Sequence, residues 1–191
     1  MAILKNSLGQ SHEIIEKIVC KGDYVVDATA GNGNDTVFLA GLVGDSGKVY
    51  SFDIQTQAII NTGKKVDEMN LSSRVEVIND GHHNLDYYVK EKIKAAVFNL
   101  GYLPGGNHSI ATKAETTITA IKKALELITL NGMVIVVIYY GGDSGFEEKE
   151  AVMEYFTTID HKHYSVMKNE FINQPNCPPI LVCIEKYCEY C

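Results

Sequence analysis

The sequence predicts an α/β fold in which one mostly parallel sheet carries helices on both faces. Short apolar runs alternate along the chain with segments that have the spacing of amphipathic helices. A strand, a helix and a second parallel strand need a right-handed crossover, and repeated crossovers cover both faces of a sheet. The chain has 191 residues, 46% of them hydrophobic, which suits one domain with a substantial core. We therefore expect a single domain over residues 1–191.

The predicted elements follow one another in a regular order up to residue 140. An amphipathic helix over residues 11–19, with Ser11 as its cap, precedes the first strand. Strands are expected over residues 24–28, 49–53, 74–78, 95–100 and 133–140. Helices are expected between them over residues 35–42, 55–69, 85–90 and 111–128. This alternation predicts five parallel strands.

The C-terminal part of the chain has a different pattern. A predicted helix over residues 147–158 is followed by predicted strands over residues 164–171 and 180–186. The connection INQPNCPP between these strands is too short to hold a crossover helix, so the two strands should pair antiparallel. We therefore expect a seven-stranded sheet with a C-terminal antiparallel hairpin at its edge.

The composition restricts the class of function. No stretch approaches the roughly 18 consecutive apolar residues of a membrane span, and the N-terminus lacks the features of a signal peptide, so we expect a cytoplasmic protein that does not contact membranes. A net charge of −7 argues mildly against a general nucleic-acid binder. The five cysteines are expected to be free thiols. Cys188 and Cys191 have metal-ligand spacing but no second pair, so no metal is expected.

A glycine-rich loop follows the first predicted strand in the stretch VVDATAGNGNDT, residues 25–36. Gly31 and Gly33 permit a tight turn and a close backbone approach to a ligand, at the sheet end where α/β folds bind ligands. Thr36 replaces the third glycine of the dinucleotide fingerprint. Asp53 ends the second predicted strand, where a carboxylate accepts hydrogen bonds from ribose hydroxyls. These features indicate an adenosine-containing ligand, either NAD or S-adenosylmethionine (SAM).

Two further acids favour SAM over NAD. Asp27 precedes the loop and Asp35 follows it, so both would stand near the ligand. The pyrophosphate of NAD is negatively charged and would be repelled by both carboxylates. One pair of like charges near 4 Å costs on the order of 1–4 kcal/mol at effective dielectrics of 80 to 20. The sulfonium and ammonium groups of SAM would instead attract the carboxylates. The structural alternative is that Asp35 only stabilises its helix N-terminus and Asp27 only caps the turn.

The third and fourth strands end in polar residues that can complete the site. Asp80 can face the exocyclic amine of adenine, and His82 can line the same pocket, whereas His83 is expected to face solvent; ordinary loop roles remain the alternative. Asn99 ends the fourth strand in the stretch AAVFNLGYLPGG. Its amide oxygen and a neighbouring carbonyl can accept hydrogen bonds from an amine, and Tyr102 can stack on a planar base. A polar strand cap followed by a Pro-Gly turn is the structural alternative.

Four stretches together resemble one bacterial family. DATAGNGNDTVFLA, FDIQ, AAVFNLGYLPGG and FINQPNCPP are similar to the YtqB/MnmM-type methyltransferases, first described as rRNA methylases. The resemblance implies a Rossmann-like class I SAM-dependent methyltransferase, usually a homodimer. It further implies methylation of the 5-aminomethyl group of (2-thio)uridine at the tRNA wobble position. The run Asn99–Tyr102 is also similar to the Asn-Pro-Pro-Tyr motif of amino-group methyltransferases, with Leu-Gly in place of Pro-Pro.

The resemblance assigns roles to individual residues. The cofactor would lie over the loop residues Ala30, Gly31, Asn32, Gly33 and Asn34. Asp53 and Gln55 would hold its ribose and adenine side, with Asp80 and His82 near the adenine. Asn99 and Tyr102 are the expected catalytic residues. The substrate side would comprise Leu100, Gly101, Tyr102 and His108.

The residues are compatible with several other functions. The acceptor could be ribosomal RNA or a small amine, the chain could bind SAM without catalysis, or it could be an NAD(P)-dependent oxidoreductase. His82, His108 or solvent could take the proton from the amine. If the partner is tRNA, we hypothesise that phosphates of the anticodon stem contact a local patch formed by Lys90, Lys92, Lys94, Lys122 and Lys123.

Overall fold

The computed structural model describes residues 3–103, 105, 111–141 and 145–189, and within them seven strands form one sheet. The strands are β1 (Tyr24–Asp27), β2 (Lys48–Phe52), β3 (Val75–Ile78), β4 (Ile93–Leu100), β5 (Ile128–Ile138), β6 (Tyr164–Asn169) and β7 (Ile180–Lys186). The helices are α1 (Ser7–Ile18), α2 (Asn34–Val43), α3 (Thr56–Glu68), α4 (Leu85–Tyr88), α5 (Ala114–Leu127) and α6 (Gly145–Thr157), and a 3₁₀ helix spans His82–Asn84. The order β3-β2-β1-β4-β5-β7-β6 confirms the predicted seven-stranded architecture.

Helices cover both faces of the sheet, as the alternation predicts. On one face Phe52 and Phe98 belong to an apolar cluster with Ile121 of α5. On the other face Ile15 of α1 and Leu39 of α2 belong to a second cluster. All five side chains are fully buried, and burial of each stabilises the fold by roughly 1.5–3 kcal/mol. In the ranges described above, no helix is long and apolar enough to cross a membrane.

The C-terminal hairpin is also confirmed. β6 and β7 pair antiparallel, and β7 pairs antiparallel with β5 on its other side. The reversed strand is therefore β7, which lies inside the sheet, and β6 forms the outer edge. Most of the β6 side chains are exposed, whereas those of β7 are almost all buried.

Two predicted boundaries are wrong. Ser11 is not a helix cap: it is buried inside α1, and its hydroxyl donates to the carbonyl of Leu8 at 2.7 Å. The cap is Asn6, whose side chain accepts a hydrogen bond from the Gly9 N–H, because α1 begins at Ser7. β5 begins at residue 128, directly after α5, and an irregular register against β4 accommodates the early start.

The sheet order places a crevice at the carboxyl ends of β1 and β4. From β1 the chain builds outward through β2 to β3 and then returns to place β4 on the other side of β1. Such a reversal leaves the loops after the two central strands on opposite sides of a gap, where open α/β sheets bind ligands. The glycine loop follows β1 and the stretch NLGY ends β4, so the two motifs face one another across this crevice.

Candidate active site

Two neighbouring cavities lie at this crevice and share one wall. The first has a volume of about 290 Å³ and is lined on the β2 and β3 side by Asp53, Ile54, Gln55, His82 and His83. The second has a volume of about 660 Å³ and extends toward β5 and the β6–β7 connection. The residues that line both are Thr29, Gly31, Asn99, Gly101 and Tyr102. The structure thus brings the motifs after β1 and β4 together.

The glycine loop has the backbone that its glycines predict. Gly31 and Gly33 have φ values of 53° and 75°, in the left-handed region. A Cβ atom on Gly33 would lie 3.0 Å from the Cα of Thr62, so the loop packs directly on α3. The N–H of Ala30 donates to the carbonyl of Phe52 at 2.8 Å and joins the loop to β2. Gly33 itself is buried behind the loop, whereas Ala30, Asn32 and Asn34 line the second cavity.

Asp53 lies where the sequence predicts it, at the end of β2 and in the wall of the first cavity. One of its carboxylate oxygens accepts the N–H of Gly31 at 3.0 Å, and the other accepts the N–H of Gln55 at 2.9 Å. A carboxylate can accept about four hydrogen bonds, so lone pairs remain for ligand hydroxyls. Asp53 therefore both orders the glycine loop and offers acceptors to the cavity.

Asp27 has a different position from the predicted one. It is fully buried beneath the loop, lines neither cavity, and accepts hydrogen bonds from the Thr36 hydroxyl at 2.6 Å and the Thr29 N–H at 3.2 Å. Burial, and secondarily the charge of Asp35, raises the pKa of Asp27 to about 7. Because its carboxyl group is enclosed by protein, it holds the loop in shape and is not placed to contact a cofactor.

Asp80 is likewise engaged with its own loop. Its carboxylate accepts hydrogen bonds from the Gly81 N–H, the Asn84 amide and the Tyr88 hydroxyl at 2.7 to 3.2 Å, and it lines neither cavity. The position does not support the expected contact with adenine. Asp80 instead fixes the 3₁₀ turn that carries His82.

His82 lines the first cavity and carries a ring nitrogen that has no hydrogen-bond partner among the described residues. Its Nδ1 lies 3.0 Å from the carbonyl of Ala28, which can only accept, so Nδ1 carries the proton. Burial lowers the pKa of His82 and so favours the neutral ring; in a neutral ring protonated at Nδ1, Nε2 is an acceptor. Nε2 is buried and has no hydrogen-bond partner among the described residues. His83, expected to face solvent, is half-buried and lines the same cavity.

Asn99 stands in the wall between the two cavities with a defined amide orientation. Its backbone N–H donates to the Thr29 hydroxyl at 2.8 Å, and its Nδ2 donates to an oxygen of Asp35 at 2.7 Å. A carboxylate only accepts, so the group that faces Asp35 must be the amide nitrogen. The amide oxygen Oδ1 is buried without a partner in the part of the chain that is described. It is an unsatisfied hydrogen-bond acceptor in a residue that lines both cavities.

Sequence reasoning missed His12, the residue on the other side of Asp35. His12 lies in α1, and its Nε2 is 2.8 Å from the second oxygen of Asp35. Its ring stacks on Phe38 with ring centroids 4.1 Å apart and an angle of 16° between the planes. Its spacing in α1 fits an ordinary amphipathic helix, so no local pattern distinguishes it.

The residues after Asn99 are held by strand-type contacts. The side chain of Leu100 is buried, and its carbonyl accepts the N–H of Tyr139 at 3.0 Å as a continuation of the β4–β5 ladder. Gly101, with φ of 144°, exchanges two hydrogen bonds with Thr112. The Leu100 carbonyl is thus part of the sheet ladder, and its expected role on the substrate side stays a prediction. Tyr102 is 44% exposed and lines both cavities, and His108 lies outside the described residues.

The far wall of the second cavity was not predicted from local pattern. Tyr139 and Tyr140 follow β5, the neighbour of β4, and therefore emerge beside Asn99. Cys177 and Pro179 of the β6–β7 connection close the cavity opposite them. In the described residues no group of three or more His, Cys, Asp or Glu side chains could hold a metal ion.

The lysines of the hypothesised RNA patch do not surround these cavities. Lys92 and Lys94 lie at the amino end of β4, opposite to the crevice, and their ammonium groups donate to the carbonyls of Glu126 and Asn131. The Lys90 ammonium donates to the carbonyl of Asp86. Lys123 forms an ion pair with Asp86, and the ammonium group of Lys122 lies over the ring of Tyr155. All five side chains thus have contacts on the protein, and their binding to RNA stays a prediction.

Comparison with known proteins identifies the family. The model of the family described as "Putative rRNA methylase" matches residues 49–185. The Arabidopsis thaliana chloroplastic tRNA (mnm5s2U34)-methyltransferase is 35% identical over 187 residues, which cover 93% of this chain and 68% of the relative. The crystal structure of a "putative rRNA-methylase" from Clostridium thermocellum is 59% identical, with a TM-score of 0.95, over 97% of this chain and 100% of that one.

A third relative was crystallised with a ligand. A "putative methyltransferase" from Streptococcus mutans in complex with S-adenosylhomocysteine (SAH) is 43% identical, with a TM-score of 0.89, over 96% of this chain and 99% of that one. The three relatives each cover 93–97% of this chain, and together with the family model they confirm the fold class and the family that the sequence motifs indicate. They count against an NAD(P)-dependent oxidoreductase. The chain belongs to the rRNA methylase family of methyltransferases.

Proposed function

We propose that this chain is a SAM-dependent N-methyltransferase that converts 5-aminomethyl-(2-thio)uridine at the tRNA wobble position to 5-methylaminomethyl-(2-thio)uridine. The observation that carries the proposal is the orientation of the Asn99 amide, whose nitrogen is bound to Asp35 and whose oxygen is buried without a described partner between two cavities. Such an oxygen is suited to accept an N–H of an amine. The tRNA substrate is inferred from the relative in Arabidopsis, whose name specifies position U34.

The residues of the crevice fit SAM. Asp53 offers carboxylate lone pairs and His82 a neutral Nε2 acceptor in the first cavity, where an adenosine group would need partners for its hydroxyls and amine. Asp35 lines the second cavity beside the glycine loop and would attract the positively charged methionine end. We assign the loop residues Ala30, Gly31, Asn32 and Asn34 to this end.

Asn99 has the central role in the proposed chemistry. When bound, SAM would supply an electrophilic methyl group to the lone pair of the amine nitrogen, and the electrons of the broken C–S bond would stay on sulfur in the product SAH. The Asn99 oxygen would accept one N–H of the amine and so direct its lone pair. Alignment of this kind is worth several kcal/mol, because effective molarities reach about 10⁵ M.

The amine must be neutral before transfer, and the product ammonium must lose a proton afterwards. Enclosure in the crevice favours the neutral amine, because burial disfavours charge. His82 lines only the first cavity, on the adenosine side, and its Nδ1 is engaged with Ala28. We therefore assign both proton losses to solvent reached through the second cavity, and the role of His108 stays a prediction.

Three tyrosines suit the second cavity to a planar base. Tyr102 and Tyr139 are 44% and 40% exposed, and Tyr140 lies beside them. Stacking of a base on an aromatic ring is worth about 1–3 kcal/mol. A uracil ring carrying the aminomethyl group could then stack while the amine reaches Asn99. This arrangement favours a nucleoside acceptor over a small aliphatic amine.

We also infer a homodimer and a cytoplasmic enzyme. Support for the dimer comes from the family resemblance and from the edge strand β6, where Val166 and Met167 are 38% and 51% exposed. Light scattering during size-exclusion chromatography measures the mass directly, and a mass of one chain at micromolar concentration would contradict the dimer.

Nucleoside mass spectrometry tests the proposed reaction. The protein is incubated with SAM and tRNA that carries 5-aminomethyl uridine, with and without the 2-thio group, and the digested nucleosides are compared. A gain of one methyl group on that nucleoside is expected. Binding of SAM without this gain would contradict the tRNA proposal, and ribosomal RNA and small amines would then be tested in the same assay.

A further inference from the structure

His12 and Asp35 form a connected pair behind Asn99. Asp35 is 8% exposed, and its two carboxylate oxygens are divided between His12 Nε2 at 2.8 Å and Asn99 Nδ2 at 2.7 Å. His12 belongs to α1, Asp35 to the first turn of α2 and Asn99 to the end of β4. The two hydrogen bonds of Asp35 therefore connect three separate elements.

We propose that His12 is a positioning residue for methyl transfer, which fixes the Asp35 carboxylate so that the Asn99 amide oxygen is directed at the acceptor amine. The inference rests on the proposed function for its substrate and on the geometry for its mechanism. His12 lines neither cavity, so it acts only through Asp35.

The need for such a pair follows from the symmetry of an amide. The nitrogen and oxygen of Asn99 have nearly the same shape, and a rotation by 180° would present an N–H donor to the amine instead of an acceptor. The hydrogen bond to Asp35 excludes this rotamer only while the carboxylate keeps its own orientation. A carboxylate with one free oxygen can turn, whereas one held at both oxygens cannot turn without losing a hydrogen bond.

The surroundings of His12 hold its ring in place. The stacking on Phe38, 4.1 Å away and nearly parallel, fixes the plane of the imidazole, and Phe38 lies one helical turn after Asp35 in α2. Since the carboxylate can only accept, Nε2 must be the donor to it. Donation and stacking are separate properties of the ring, so different substitutions can remove them one at a time.

Two variants separate the two properties. His12→Phe keeps the stacking and the volume but removes the donor. His12→Gln removes the stacking but places an amide N–H near the position of Nε2. Thermal unfolding and SAM affinity are measured first, to confirm that both variants are folded and bind the cofactor as the wild type does.

The kinetic readout is single-turnover methyl transfer to an anticodon stem-loop that carries 5-aminomethyl uridine. We expect His12→Phe to lose about 10²-fold in the transfer rate, the usual effect of a misplaced reacting group, with the RNA dissociation constant unchanged. His12→Gln should retain the rate to within about threefold of the wild type. A wild-type rate in His12→Phe, equal losses in both variants, or a loss confined to RNA affinity would each overturn the proposal.

The second readout needs no activity. In ¹⁵N-labelled protein the side-chain amide signal of Asn99, assigned by its disappearance in Asn99→Ser, reports the hydrogen bond to Asp35. It should shift in His12→Phe and stay in place in His12→Gln. If the wild type methylates no RNA, the proposed function fails, while the NMR series still decides the inference: an unmoved Asn99 signal in His12→Phe overturns it.

Discussion

The buried carboxyl group of Glu148 accepts hydrogen bonds from the hydroxyls of Thr112 and Thr117, at 2.5 and 2.8 Å. Thr112 in turn accepts the N–H of Gly101 at 2.9 Å. One side chain of α6 thereby supports the turn that carries Tyr102 at the wall of both cavities. Burial raises the pKa of Glu148, as expected for a carboxyl group without a cationic partner in the described structure.

The first prediction concerns this contact. Glu148→Ala leaves two threonine hydroxyls without their acceptor in a buried place, and we expect the free energy of unfolding to fall by about 2 kcal/mol. Glu148→Gln, which keeps an acceptor, should cost less than half as much. Glu150→Ala on the exposed face of the same helix is the control and should stay within about 0.5 kcal/mol of the wild type. Urea unfolding measures all three, and equal effects of Ala and Gln would contradict the role of the acceptor.

The second prediction concerns the glycine loop. Alanine at position 33 would have to adopt a φ of 75°, and its Cβ would lie 3.0 Å from the Cα of Thr62. We therefore expect Gly33→Ala to lose at least about 1–2 kcal/mol of stability and to weaken SAM binding. The matched control is Gly63→Ala in α3, where a Cβ meets nothing within 4 Å and helix propensity predicts a gain of roughly 0.8–1 kcal/mol. Thermal shift with and without SAM measures both. Comparable behaviour of the two variants would show that the packing on Thr62 is unimportant.

Periodicity predicted the sheet well because it reports which face of each element is buried. The strands β1 to β4, β6 and β7 lie within two residues of their expected bounds, and the antiparallel hairpin follows from a connection that cannot hold a helix. β5 starts early because its first residues pair with β4 in an irregular register. This pairing depends on the neighbouring strand, so the local sequence of β5 does not predict it.

Polar partners across elements were predicted less well. The motifs correctly placed Asp53 and Asn99 at the crevice, because the carboxyl ends of neighbouring parallel strands must meet there. Asp27 and Asp80 stand at similar strand ends, yet their carboxyl groups accept hydrogen bonds from Thr36 and from the loop after β3, so N–H and O–H groups of the protein already satisfy them. The partner of His12 lies 23 residues away on another helix, and no spacing rule connects the two.

The third prediction concerns the hypothesised RNA patch of lysines 90, 92, 94, 122 and 123. Binding to RNA weakens as salt rises, and the steepness is the slope of the logarithm of the binding constant against the logarithm of salt concentration. Replacing a phosphate-contacting lysine by alanine should reduce the magnitude of this slope by about one. Fluorescence anisotropy with a labelled anticodon stem-loop between 50 and roughly 200 mM salt covers the informative range. Lys64→Ala, an exposed lysine of α3 paired with Glu68, is the control. An unchanged slope after removal of all five would reject the patch and move the search to the crevice side of the molecule.

The fourth prediction concerns the pH dependence of stability. The pKa of Asp27 is raised from 3.8 to about 7, mainly by burial, so between these values the folded protein holds a proton that the unfolded chain has released. The contribution of this group to stability is therefore complete below pH 4 and is lost as pH rises toward 7, with a slope of at most about 1.4 kcal/mol per pH unit. Asp27→Asn has nearly the same shape, keeps an acceptor for Thr36, and cannot titrate.

Other groups titrate over the same range, so the informative quantity is the difference in unfolding free energy between wild type and Asp27→Asn at each pH. His82, whose pKa burial lowers, contributes the opposite slope but is common to both proteins and cancels in this difference. We expect the wild type to lose stability relative to Asp27→Asn as pH rises from 4 to 7, by on the order of a few kcal/mol in total. Urea unfolding at half-unit pH steps measures the difference. A constant difference across the range would mean that Asp27 is charged in the folded protein throughout, and the loop would then be held around a buried anion instead of a carboxylic acid.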